Sequence, residues 1–193
     1  MTKGSERVAR AALAVGAAVS PALAARWAEA LFFTPPRPRK ARAALPAGAT
    51  RVDVQSQYGR LAVWSWGSGP AVYLVHGWGG RAEQLGAFVA PLVSRGFRAI
   101  AIDGPGHGAS AGRRSSGVEI ARALADVVAQ LGPARAVIAH SLGAAAATFA
   151  VREGLGVERL VFMPAPSSAR ASRSARPGAS RPSCLLGWPH GNG

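Results

Sequence analysis

Apolar residues fall into short dense runs from residue 51 onward, and between those runs their spacing takes on a helical period. Val52 to Val54 and Leu61 to Trp66 flank Tyr58-Gly59. The alternation of Leu61 and Val63 with Trp64 and Trp66 predicts a short antiparallel hairpin. Ala71-Val72-Tyr73-Leu74-Val75 is apolar throughout and lies between Gly69-Pro70 and His76-Gly77. A run of that length without polar alternation predicts a parallel-sheet strand buried on both faces. Residues 82 to 95 predict a helix ending at Gly96, and Phe97 to Ile102 the next buried strand.

Gly117 to Leu131 predicts a helix stopped by Gly132-Pro133, with Val118, Leu124, Val127, Val128 and Leu131 available to its apolar face. A short strand over Ala136 to Ala139, a small-residue helix over Leu142 to Arg152 and a strand over Arg159 to Met163, stopped by Pro164, complete the series. Strands separated by helices imply right-handed crossovers and a mostly parallel sheet covered by helices on both faces, an α/β fold. Ligands of such sheets sit at the carboxyl ends of the strands, so the residues that follow each strand are the ones to inspect.

The first 33 residues follow a different pattern. Lys3, Arg7 and Arg10 precede an Ala-rich apolar run, Ala11 to Ala25, which Pro21 interrupts. Such a run is too short and too weakly apolar for a spanning helix. Two readings remain open. Trp27, Leu31 and Phe32 lie near i, i+4 spacing, as in an amphipathic helix that docks on the body of the protein or on a membrane surface. The basic start, the apolar run and Ala22-Leu23-Ala24 also satisfy the outline of a secretory signal. The Pro-rich stretch from Thr34 to Lys40 cannot be helical, since proline lacks a donor and restricts its predecessor.

Composition changes this picture only at the margins. The chain has 193 residues, 49% hydrophobic and 17% charged, enough for one domain with a packed core. The net charge of +14 would suggest a polyanionic partner, but its distribution argues otherwise. Residues 51 to 166 hold eleven basic and seven acidic residues, whereas residues 1 to 50 hold eight and two, and residues 167 to 193 four and none. Most of the excess thus lies outside the expected core, and no basic-aromatic motif accompanies it. No nucleic-acid partner is expected. One cysteine, Cys184, excludes a disulfide framework and a Cys-rich zinc site.

Candidate chemistry follows three of the strands. Ala139-His140-Ser141-Leu142-Gly143 joins a short strand to an Ala-rich helix. A nucleophile held on a sharp strand-to-helix turn needs small residues two before and two after it, and Ala139 and Gly143 meet that need. Ser141 is the candidate nucleophile, with the Leu142 backbone N–H beside it at a helix N-terminus. His76-Gly77-Trp78-Gly79-Gly80 follows an earlier strand as a glycine-rich loop, with the Trp78 backbone N–H as the candidate second oxyanion donor. His76, Gly77 and His140 are expected to line the substrate site, His76 chiefly by fixing the loop rather than by moving protons. Asp103-Gly104-Pro105-Gly106-His107-Gly108 follows another strand, and Asp103 and His107 are expected to hold that turn.

In order and spacing these three motifs resemble those of the α/β-hydrolase superfamily, over about residues 51 to 166. The resemblance implies a serine nucleophile, an acyl-enzyme intermediate and hydrolysis of an ester or related acyl bond of a small-molecule substrate. It argues against the dehalogenase and epoxide hydrolase branches, which place an aspartate where Ser141 stands, and it implies neither a metal nor a cofactor. It also implies an acid and then a histidine after Ser141, carried by later strands. From Ser167 to Gly193 the chain offers no acidic residue and a single histidine, His190.

The expected division is an N-terminal helical or signal-like segment (1–33), a Pro/Arg-rich linker (34–50), a partial hydrolase domain truncated after about six strands (51–166) and a disordered Ser/Arg/Pro-rich tail (167–193), as a frameshift would produce. Loss of triad members removes roughly a million-fold in rate, so little activity is expected of the chain by itself. The expected location is cytoplasmic, with export or membrane association through the N-terminal segment as the alternative.

Overall fold

The computed structural model describes residues 3–36 and 44–164. The expected tail, His190 and the middle of the linker lie outside the described residues. The chain forms α1 (Lys3–Val19), α2 (Pro21–Phe32), β1 (Thr50–Ser56), β2 (Gly59–Trp66), β3 (Ala71–Val75), a 3-10 helix (Ala82–Phe88), α3 (Val89–Val93), β4 (Arg98–Ile102), α4 (Gly117–Leu131), β5 (Ala134–His140), α5 (Leu142–Arg152) and β6 (Val157–Met163).

Six strands make one sheet in the order β1-β2-β4-β3-β5-β6. β1 and β2 form the expected antiparallel hairpin, and β2 also runs antiparallel to β4. The β4-β3, β3-β5 and β5-β6 pairs are parallel. Period-two geometry splits the apolar runs between two cores. Tyr73 and Val75 of β3 face one core with Ile100 and Ile102, beneath α4 and α5. Val72 and Leu74 face the other with Ala99 and Ala101, beneath Ala82, Leu85 and Val89. Helices therefore cover both faces, and β3 is buried at all five positions.

Helix α4 has the boundaries that its sequence predicts. Ser116 caps it by accepting the Glu119 N–H at 3.2 Å, and Gly132 ends it with φ 112°. The segment 82–95 differs from the single helix expected. Pro91 has no N–H and is tolerated in the first turn of an α-helix, so α3 starts at Val89, two residues before it. The residues before it take the tighter 3-10 form, with Gly86 against the Pro46 ring. β5 starts at Ala134 rather than Ala136, because backbone pairing with Ala71 and Val157 does not need an apolar side chain at Arg135.

The N-terminal segment is two helices rather than one. Ser20 is extended (φ −153°, ψ 97°) and Pro21 opens α2. Val19, Leu23, Trp27 and Phe32 remain largely exposed, while the carboxyl end of α2 meets the body. No helix among the described residues is long and apolar enough to cross a membrane. At the opposite end of the structure, β6 lies at the sheet edge with Val161 and Phe162 about half exposed.

Candidate active site

Three loops meet at the carboxyl ends of β3, β4 and β5. The turn from β5 into α5 centres on Ser141, whose backbone (φ 51°, ψ −120°) is the one positive φ outside glycine among the described residues. A side chain in that conformation costs about 1–3 kcal/mol, and the surroundings must enforce it. Two contacts do so: the Ser141 N–H donates to the Met163 carbonyl at 3.1 Å, and the Ser141 carbonyl accepts the Ala144 N–H at 2.9 Å. A serine at a helix N-cap ordinarily turns its hydroxyl onto the first-turn N–H groups. Ser141 makes no such bond, is solvent-exposed, and its hydroxyl has no hydrogen-bond partner among the described residues.

Close approach explains the small residues around it. A Cβ on Gly77 would come within 3.0 Å of His140 Nδ1 and 3.1 Å of the Ser141 Cβ, so the glycine-rich loop lies directly on the turn. Gly143 approaches β3 from the other side. The N–H groups of Trp78 and Leu142 have no partner among the described residues. Both lie beside the serine, Leu142 by sequence and Trp78 through the Gly77 contact.

His76 is 1% exposed. Its Nε2 accepts the Gly104 N–H at 3.0 Å, and Nδ1 lies 2.7 Å from the Gly77 carbonyl, so Nδ1 carries the proton and donates it there. Burial, chiefly, together with the neighbouring His107 lowers its pKa to about 3. With both ring nitrogens bound to backbone, His76 presents no polar atom to a substrate. These two bonds hold the glycine-rich loop to the β4 turn. Gly77 and His140 lie against the serine turn, with His140 partly buried.

Asp103 and His107 do hold the β4 turn. Asp103 Oδ1 accepts the Ala82 N–H at 2.8 Å and Oδ2 the Ala109 N–H at 2.7 Å. Burial pushes its pKa up to about 6, against the two backbone bonds that favour the carboxylate. His107 Nε2 accepts the Gly79 N–H at 3.1 Å and Nδ1 lies 2.8 Å from the Pro105 carbonyl. Its ring is 5.3 Å from that of Trp78 in an edge-to-face arrangement, which fixes the tryptophan beside the site. Asp103→Ala is expected to leave the buried Ala82 N–H without an acceptor and to cost about 2–4 kcal/mol. Urea unfolding checks this, and a loss below about 1 kcal/mol would remove Asp103 from the loop's support.

The comparisons with known proteins agree with this geometry. A model of the alpha/beta hydrolase family matches residues 72–191, a span that includes the segment after residue 166. No curated protein matches the sequence. Among solved structures, an epoxide hydrolase from an endophytic Streptomyces is 25% identical, with TM-score 0.57 over 64% of this chain and 39% of its own. An esterase from Exiguobacterium antarcticum (23%, TM-score 0.55, 58% and 44%) and an epoxide hydrolase from Vigna radiata (21%, TM-score 0.56, 65% and 42%) share the fold. The chain spans about two-fifths of the length of these structures. With a family match over more than half its length, the expected sheet and the strained serine turn after β5, this chain belongs to the alpha/beta hydrolase family.

Proposed function

We propose that the chain carries the nucleophile and oxyanion side of a serine acyl hydrolase acting on a carboxylic ester or a related acyl bond. The observation that supports this most is Ser141 itself, held at positive φ at the start of α5 with its hydroxyl uncapped and exposed. In this reading Ser141 Oγ bonds to the substrate carbonyl carbon, its proton passes to a base, the alcohol leaves, and water hydrolyses the acyl-serine. The free Trp78 and Leu142 N–H groups receive the developing oxyanion, the latter aided by the helix N-terminus.

Epoxide opening, the reaction named for two of the similar structures, fits a serine poorly. Attack by Oγ on an epoxide carbon would leave a serine ether, which has no carbonyl for water to attack. An acyl substrate returns the enzyme and an ether does not.

No described residue is hydrogen-bonded to Ser141 Oγ, so among the described residues none is already paired with it as a base. That observation also favours a second reading, a hydrolase-fold binding protein without catalysis. Exposure to a fluorophosphonate followed by peptide mass spectrometry separates the two. Slow modification confined to Ser141 and lost in Ser141→Ala supports the nucleophile. Absence of modification after prolonged exposure, with ligand binding unaffected by Ser141→Ala, supports the binder.

Strain at the nucleophile carries a stability signature. Ser141→Gly is expected to stabilise the fold by about 1–2 kcal/mol, because glycine adopts this backbone without a Cβ penalty. A Tm unchanged or lowered in the variant would argue that the turn is relaxed.

A further inference from the structure

The N-terminal helix ends inside the candidate site. Leu31, Phe32 and Phe33 at the end of α2 face Trp78, Ser115 and Leu142 across a cavity of ≈ 560 Å³. Leu142 follows the nucleophile directly, so the cavity begins within one residue of Ser141. Its volume suits a small organic ligand, and no charged side chain lines it.

The end of α2 is tied to the body at several points. The Phe33 carbonyl accepts the Ser115 N–H at 2.8 Å. Glu29 pairs with Arg114 at 2.7 Å, and the Arg114 guanidinium lies 5.7 Å from the centre of the Phe33 ring. Just beyond, a Cβ on Gly79 would stand 2.7 Å from Pro36 Cγ, so the chain leaving α2 lies on the loop that carries Trp78.

We propose that α2 is part of the substrate site: the cavity receives the apolar chain of a medium-length acyl ester, with Phe33 forming its far wall and Leu31 its rim. This rests on the reading of Ser141 as the acyl-accepting nucleophile. An apolar lining without a cation disfavours acyl groups that carry a second carboxylate, and an acetyl group would leave most of the volume unfilled.

Binding of methyl octanoate and methyl acetate to the full chain carrying Ser141→Ala, measured by calorimetry, tests the assignment without turnover. Octanoate is expected to bind at least tenfold more tightly than acetate. Phe33→Ala and, separately, Leu31→Glu are each expected to weaken octanoate binding about tenfold. Leu31 is 60% exposed, so its replacement leaves the fold intact and guards against misfolding of the Phe33 variant. Equal binding of the two esters, or octanoate affinity unchanged in both variants, overturns the proposal. Fluorophosphonate modification of Ser141 is read independently of these affinities. Octanoate binding that depends on Leu31 and Phe33 without such modification would uphold the cavity and reject the nucleophile. Modification without chain-length preference would do the reverse.

Discussion

Gly143→Ala is expected to destabilise the protein by about 3 kcal/mol or more and to yield little folded material. An ideal Cβ on Gly143 would lie 2.5 Å from the His76 carbonyl oxygen and 2.8 Å from that of Val75. Both are backbone atoms at the end of β3, which pairs with β4 and β5, so neither can retreat without breaking the centre of the sheet. Alanine has the better helix propensity, but that gain is about 1 kcal/mol and overpacking of this severity outweighs it. Gly16→Ala in α1 supplies the contrast, since its Cβ would meet only the Ala24 Cβ at 3.8 Å. That variant should be neutral or slightly stabilising. Urea unfolding of the two variants decides the matter, and a Gly143→Ala chain within about 1 kcal/mol of the parent would show that α5 is not seated against β3 as described.

The second large effect is expected at His76. His76→Ala removes two buried hydrogen bonds, leaves the Gly104 N–H and Gly77 carbonyl unpaired, and opens a cavity, for a combined loss of about 3–5 kcal/mol. His76→Gln, which can keep one of the bonds, should lose less and remain folded enough for study across pH. The folded-state pKa of His76 is lowered to about 3 from 6.5. Its stabilising contribution is therefore complete above pH 6.5 and shrinks as pH falls toward 3, because the unfolded chain takes up a proton that the folded one refuses.

Asp103 works in the opposite sense. Its folded pKa is raised to about 6 from 3.8, so the folded chain binds a proton first and gains stability as pH falls from about 6 to 4. In the parent chain these two contributions largely offset each other over that interval. In His76→Gln only the Asp103 contribution remains. The stability gap between parent and variant should thus narrow on acidification, by about 2 kcal/mol in all between pH 6.5 and 4.5. Denaturant midpoints at the two pH values measure it, and a gap that stayed constant would mean that His76 titrates normally.

Much of the architecture was legible in the chain because its determinants are local. The five apolar residues of β3, the Ser116 cap and Gly132 stop of α4, and the small residues around Ser141 each act on neighbours a few positions away. The turn at Ser141 was legible for the same reason, since a strand, a tight turn and a helix in succession need small residues at stated places. The 3-10 segment was less so, although Pro91 carried the signal: a proline expected within the first turn puts the α-helix start at Val89.

Sequence by itself determined the alternation of strands and helices, the parallel class of the sheet and the serine at its edge. Tertiary structure alone decided that β4 lies between β2 and β3, because strand order depends on which apolar faces share a core and not on any one segment. It decided that His76 binds the Gly104 N–H, 28 residues away, and so ties the β3 loop to the β4 turn. It also decided that the end of α2, more than a hundred residues before Ser141 in the chain, closes the cavity beside it. The physical reason is the same in all three cases. Local propensity is written in adjacent residues, whereas the pairing of distant buried groups follows from how the whole chain satisfies its hydrogen bonds and fills its core.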